Sequence, residues 1–130
     1  MKIITSKENK KVNEAFQKWI KDQWSAKEQR EDIPSSLLLV SGENLLGGLN
    51  FTFYKHPTLE KEALWIDAVL VSDMHRNKGY GSLLINAAED MMSETYDSLF
   101  VYTDIENLYL DLGWKEVKKY EDHTVLKKEI

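Results

Sequence analysis

The chain contains no cysteine, and its three histidines, His56, His75 and His123, are scattered without metal-ligand spacing. The missing thiols exclude disulfides, a cysteine nucleophile and Cys-ligated zinc, and they fit a cytosolic protein. No metal is expected. No apolar run is long enough to span a bilayer. The opening Met1-Lys2-Ile3-Ile4-Thr5 lacks the apolar core of a secretory leader. No membrane partner and a cytoplasmic location are therefore the expectation. Basic residues are in the minority, with 17 Lys and Arg against 22 Asp and Glu and a formal net charge of −5. That balance leaves no global basic footprint for nucleic acid and favours cationic over anionic partners. Repeats, linkers and low-complexity segments are also absent. The 130 residues, 42% of them apolar, suffice for one core, so residues 1–130 read as a single domain.

What is present is an alternation of strand and helix patterns. Residues 2–5 suit a short strand, and Ser6 can cap the helix that follows. Val12, Phe16, Trp19, Ile20 and Trp24 then fall on one helical face and read as core. Residues 25–35 are charged and form either a second helix or a loop, ended by Pro34. Residues 37–40 and 45–54 pair as a hairpin around the turn Ser41-Gly42-Glu43-Asn44, with Gly47-Gly48 weakening or bulging the second strand. A loop at His56-Pro57-Thr58 leads to a strand over 63–71. A helix over 79–93 follows, with Leu83, Leu84, Ala87, Ala88, Met91 and Met92 as its buried side. Next come a strand over 99–103, a short helix carrying Tyr109 and stopped by Gly113, and a hairpin of 114–120 with 124–128. The fold class is mixed α/β.

The densest chemical signal is Arg76-Asn77-Lys78-Gly79-Tyr80-Gly81, at the junction between the 63–71 strand and the next helix. The first helical N–H groups have no intrahelical partners, and the helix dipole adds about half a positive charge there. A strand, a Gly-rich turn and a helix start make a phosphate site. A dinucleotide fingerprint needs a third glycine where Leu84 stands. A triphosphate loop needs Lys-Ser/Thr after the last glycine, where Ser82-Leu83 stand. Both fail. The remaining pattern is Arg/Gln-x-x-Gly-x-Gly/Ala.

That pattern resembles the pyrophosphate loop of the GNAT superfamily of acetyl-CoA-dependent N-acetyltransferases, and the flanks agree. Trp65-Ile66-Asp67-Ala68-Val69-Leu70-Val71 is similar to the fourth strand of that fold, with Val71 five residues before Arg76. Leu108-Tyr109-Leu110-Asp111-Leu112-Gly113-Trp114 resembles the second signature, Tyr-x-x-x-Gly followed by an aromatic. The resemblance covers residues 36–128 well and the first 35 by pattern. It implies a mostly antiparallel twisted sheet of about seven strands, splayed between strands four and five, with helices on both faces.

The resemblance also implies roles. Backbone groups of Val69, Leu70 and Val71 would pair with the pantetheine arm of acetyl-CoA and polarise its thioester. The pyrophosphate would rest on the turn Asn77, Lys78, Gly79, Tyr80, Gly81 and Ser82, with charge added by Arg76 and Lys78. Tyr109 matches the tyrosine near the CoA sulfur, where a protonated phenol can donate to the departing thiolate. By strand alternation Asp67 shares a pleat face with Val69 and Val71. A similar acidic residue faces the acceptor in some subfamilies, where it binds the ammonium or helps remove its proton. The bland readings are a buried structural tyrosine and a carboxylate bonded to a neighbouring strand. Asp104 and Glu106 are weaker candidates for cation binding. Many members carry an Asn where this chain has Tyr102, and the nearest Asn is Asn107. The implied reaction is direct acetyl transfer to a primary amine of a small molecule or protein, the acceptor being cationic. The alternatives are a non-catalytic CoA-binding module and a transferase using another acyl-CoA. A homodimer is compatible with this reading.

Overall fold

The computed structural model describes residues 1–23 and 30–130. The elements run β1 (Lys2–Thr5), α1 (Lys10–Gln23), β2 (Leu37–Ser41), β3 (Asn44–Lys55), β4 (Glu62–Val71), α2 (Tyr80–Met92), β5 (Ser98–Thr103), α3 (Glu106–Asp111), β6 (Lys115–Lys119) and β7 (Thr124–Glu129). A single 3₁₀ turn, Asp73–His75, separates β4 from the turn before α2. The seven strands form one sheet in the order β1-β2-β3-β4-β5-β7-β6. Every pairing is antiparallel except β4 with β5. This is the expected mixed α/β architecture, and its one parallel pair lies at the expected splay.

Helices cover both faces because the apolar stripes face opposite sides. On one face, Leu84, Ile85, Ala88 and Met92 of α2 pack with Leu37, Leu49, Ile66 and Leu99, and Tyr109 and Trp114 join the same cluster. On the other, Val12 and Phe16 of α1 pack with Ile4, Leu38 and Val40. The α2 stripe is rotated from its expected position. Ile85 is fully buried, whereas Leu83 and Met91 are exposed. Both alternatives satisfy helical periodicity, and the side that meets the sheet wins.

The start of α1 also differs from expectation. Asn9 Oδ1, not Ser6, accepts the Val12 N–H at 3.1 Å, which is an N-cap bond. The Ser6 N–H instead donates to the Ser36 carbonyl at 2.8 Å. Trp24 and the charged stretch to Gln29 lie outside the described residues, and Arg30–Ser36 contains no helix. The hairpin glycines have a packing reason. The β2–β3 register slips at Leu46, beside Gly47, which is the expected bulge. A Cβ on Gly48 would lie 2.6 Å from the Phe16 ring, and one on Gly47 would lie 2.8 Å from the Leu70 carbonyl oxygen. These glycines admit α1 and β4 at close range.

Candidate active site

The turn between β4 and α2 is built from unusual backbone angles. Asn77 has φ 63° and Gly79 has φ 78°, left-handed values that Gly and Asn tolerate best. Gly79 is the N-cap of α2, and no side chain caps it. The first helical bond runs from the Leu83 N–H to the Gly79 carbonyl at 3.1 Å. The N–H groups of Tyr80, Gly81 and Ser82 therefore precede the helical ladder. A Cβ on Gly79 would meet nothing within 4 Å, and one on Gly81 would meet only Leu108 Cδ2 at 3.9 Å. Gly79 is required by its φ. Gly81 has no such reason within the protein, and a glycine there leaves the backbone open to close approach. Arg76 is tied back to the strand end: its Nε donates to the Val71 carbonyl at 3.3 Å and its Nη2 lies 2.8 Å from Asp73 Oδ1.

Upstream of this turn, β4 has one closed edge and one open one. It pairs with β3 from Glu62 to Val71. With β5 it pairs only at Trp65–Phe100 and Ile66–Val101. Beyond those positions β5 pairs with β7 to its end at Thr103, leaving residues 67–71 of β4 without a β5 partner. An amide-bearing chain could fill that gap by strand addition. Val69, Leu70 and Val71, the expected pantetheine contacts, lie along it.

Asp67 marks the point where the ladder slips. Asn50 aligns with Ala68 but Phe51 aligns with Ile66, so Asp67 is the extra residue of a β-bulge. This overturns the simple alternation. Val69 packs in the cluster that holds Leu64 and Ile66, whereas Leu70 packs with Phe16 on the opposite face. Asp67 therefore does not share a pleat face with Val69 and Val71 by period two; the bulge resets the phase between them.

A broad cleft of about 1530 Å³ opens on the α1 side of the splay. Asp67, Val69 and Tyr109 line it, and the turn at residues 76–82 does not. Tyr109 is only 2% exposed. Its ring meets Trp114 edge-on, with centroids 5.1 Å apart. Its carbonyl accepts the Trp114 N–H at 3.0 Å. Burial pushes its phenol well above the ordinary tyrosine range, so it stays protonated at neutral pH and can only give a proton. Gly113, at φ 88°, closes α3 as expected. Glu106 is engaged elsewhere: it accepts from Lys119 at 2.9 Å and from the Thr124 hydroxyl at 3.1 Å. Those two hydrogen bonds, the Lys119 one first, hold its carboxyl below the usual range. Asp104 is exposed and lines the cleft, and Asn107 is exposed on α3.

A family model for the acetyltransferase (GNAT) family matches residues 5–113. The chain belongs to that family. No curated protein sequence matches it. Solved structures share the fold across the full length. Arabidopsis thaliana Naa50, in complex with a bisubstrate analogue, superposes with a TM-score of 0.71 at 14% identity, covering 99% of this chain and 98% of that one. Arabidopsis thaliana NAA60 with acetyl-CoA gives 0.71 at 13% identity and 99% coverage of both chains. A chain of the NatC complex, bound to Gag peptide and CoA, gives 0.74 at 19% identity, covering 100% and 99%. This chain is thus an acyltransferase of the GNAT fold.

The structure adds cleft residues that the sequence reading did not single out. Gln17 Nε2 donates to Asn13 Oδ1 at 3.0 Å, and Ser36 Oγ bonds Asn50 Oδ1. All four line the cleft, and Asn50 aligns with Ala68 beside the bulge. Asn50 could have been noticed as a polar side chain between Leu49 and Phe51, inside a strand. Tyr102, where the family often has Asn, stacks on His123 at 4.5 Å and meets Tyr120 edge-on at 6.0 Å. Among the described residues no group of three His, Asp or Glu is placed to hold a metal ion. No described helix is long and apolar enough to cross a membrane.

Proposed function

We propose that this chain transfers an acetyl group from acetyl-CoA directly to a primary amine. The observation that carries the reading is the open β4 edge at residues 67–71, with an uncapped helix start at one end and the Tyr109 phenol in the cleft beside it. Acetyl-CoA is a co-substrate of matching shape. Its pantetheine amides would pair with Val69, Leu70 and Val71, and its pyrophosphate would take the N–H groups of residues 77–82, with Arg76 and Lys78 adding charge. The alignment of a bound thioester against this strand converts a bimolecular encounter into an oriented one.

The amine enters from the cleft side. Its nitrogen attacks the thioester carbonyl carbon, the C–N bond forms and the C–S bond breaks. Tyr109 gives its proton to the departing thiolate, and water or Asp67 receives the proton lost by nitrogen. Asp67 sits at the bulge, on the acceptor side of the pantetheine contacts, and would hold the ammonium before it is deprotonated. The acceptor is therefore cationic at its reacting end. The solved relatives carry a peptide or a bisubstrate analogue, which makes a peptide amine a natural member of any acceptor panel.

The test is calorimetry with acetyl-CoA followed by thiol release over a panel of small amines and peptides. Acetyl-CoA binding with thiol release for at least one amine is expected. Binding without release for every amine would favour the non-catalytic CoA-binding module instead. Release only with longer acyl donors would reassign the donor.

A further inference from the structure

Among the described residues, the cleft lining is richer in cations than in acids, whereas the whole chain is acidic. Across the chain, 22 acidic residues outnumber 17 basic ones. Among the described residues that line the cleft, five are cations, Lys7, Lys21, Arg30, Lys55 and Lys118, and only Asp67 and Asp104 are acidic. The cations come from four separate places: the β1–α1 turn, α1 with the segment after it, the end of β3, and β6. Arg30 is spoken for by Asp32 and Glu62, each at 2.7 Å. Lys7, Lys21, Lys55 and Lys118 have no carboxylate within ion-pair distance among the described residues. All four are exposed. His56, also in the wall, has its pKa lowered, first by burial and then by Lys61 and Lys127.

These lysines do not serve the donor's phosphates in the arrangement proposed above. The turn at residues 76–82 is not part of the cleft lining. The cleft is also large, at about 1530 Å³ against roughly 300–1,000 Å³ for a small-molecule pocket. Its lining reaches from the β1–α1 turn to the β6–β7 hairpin, far more wall than one ammonium group needs.

Resting on the acetyl-transfer reading, we propose that the acceptor is an acidic peptide, its amine at Asp67 and its carboxylates along the lysine-lined wall. One carboxylate at the reacting end and a cationic wall beyond it suit an amine followed by acidic residues. A basic segment would meet like charge, which costs affinity and slows encounter.

The experiment uses the full chain, saturating acetyl-CoA and two matched peptides with the same first residue, followed by Asp and Glu in one and by Arg in the other. Arg adds charge without adding an amine that could be acetylated. The acidic peptide should have a kcat/KM at least about tenfold higher at low salt, and the gap should shrink near 1 M salt, where the screening length falls to about 3 Å. Lys21→Glu/Lys55→Glu should lower kcat/KM for the acidic peptide by about 3- to 10-fold and raise it for the Arg peptide. Its acetyl-CoA affinity by calorimetry should not move, which also checks folding; Lys118→Glu repeats the test from a different strand. Equal use of both peptides, or a preference for the Arg peptide, overturns the inference while leaving acetyl transfer standing. So does turnover of small amines with neither peptide accepted. Acetyl-CoA binding with no thiol release for any amine or peptide takes down both readings.

Discussion

The two edges of β4 are built to opposite ends. Toward β3 the strand is paired from Glu62 to Val71, and Gly47 and Gly48 bring the neighbouring backbone and the Phe16 ring in close. Toward β5 it is paired at two positions only. An unpaired strand edge is normally a liability, because its free N–H and C=O groups template pairing with other chains. Here the open edge lies inside the sheet, between β4 and β5, and not at its outer rim. One edge is paired along the strand, and the other is the edge proposed above to take the pantetheine arm. Substitutions on the two sides should therefore separate cleanly into effects on activity and effects on stability.

The largest effect is expected on the open side, at Tyr109. Tyr109→Phe removes one oxygen from a ring already packed against Trp114, so the fold and acetyl-CoA binding should survive. General acid catalysis is worth about 10²–10⁴-fold, and single-turnover rates should fall by at least the lower figure. Steady-state rates are a weaker measure where product release limits turnover. Burial raises the phenol's pKa, so its ionisation gives no alkaline limb to the rate profile below about pH 10. The sign for stability agrees. A raised folded pKa leaves this group's contribution intact below the unfolded value of about 10 and loses it as pH climbs through the folded one. A full single-turnover rate in the Phe variant would remove Tyr109 from the mechanism.

Next in size is the turn before α2, proposed to hold the pyrophosphate. Gly81→Val is the sharper probe, because Gly81 lacks the left-handed φ of Gly79 and its Cβ would meet only Leu108 Cδ2, at an ordinary contact distance of 3.9 Å. The variant should fold. A hydrogen bond to a charged group contributes about 1.5–3 kcal/mol, so blocking one or two amides should weaken acetyl-CoA about 10- to 100-fold by calorimetry. Unchanged affinity in the folded variant would move the pyrophosphate elsewhere.

On the closed side the expected change is in stability alone. Gly48→Ala places a methyl 2.6 Å from the Phe16 ring, and overpacking of this kind costs about 1–3 kcal/mol. Chemical denaturation should report that loss, while the acetyl-CoA affinity of the folded fraction stays the same. A loss of affinity with no loss of stability would mean that the two edges of β4 are not independent.

How much of this was legible follows the range of the interactions. The order of elements along the chain and the Gly-rich turn before α2 were readable, because glycine spacing and apolar periodicity are local. The short helix that carries Tyr109 was readable because Gly113 closes it four residues on. The bulge at Asp67 was not, since a one-residue slip depends on how Asn50 and Phe51 of β3 align with β4. Nor was the choice of Ile85 over Leu83 as the buried residue of α2, which the sheet decides. The cationic wall was hidden for the same reason. Its lysines are scattered from position 7 to position 118, and the net charge of −5 pointed the other way.

The smallest expected effect is at Asp67, where the two edges meet. It lines the cleft, yet it is also the bulged residue of the β3–β4 ladder, so it could serve either edge. Asp67→Asn keeps size and hydrogen-bonding capacity and removes the charge. A role in holding the ammonium predicts normal acetyl-CoA affinity and a KM for the amine raised several-fold, on the scale of a partly solvated ion pair at about 0.2–1 kcal/mol. A role in securing the bulge predicts the reverse: an unmoved KM and a lower denaturation midpoint. If the KM rises while the midpoint holds, the residue belongs to the open edge, and the bulge is the device that turns its carboxylate toward the acceptor. An unmoved KM for every accepted amine assigns it to the closed edge, and water then receives the proton lost by the amine.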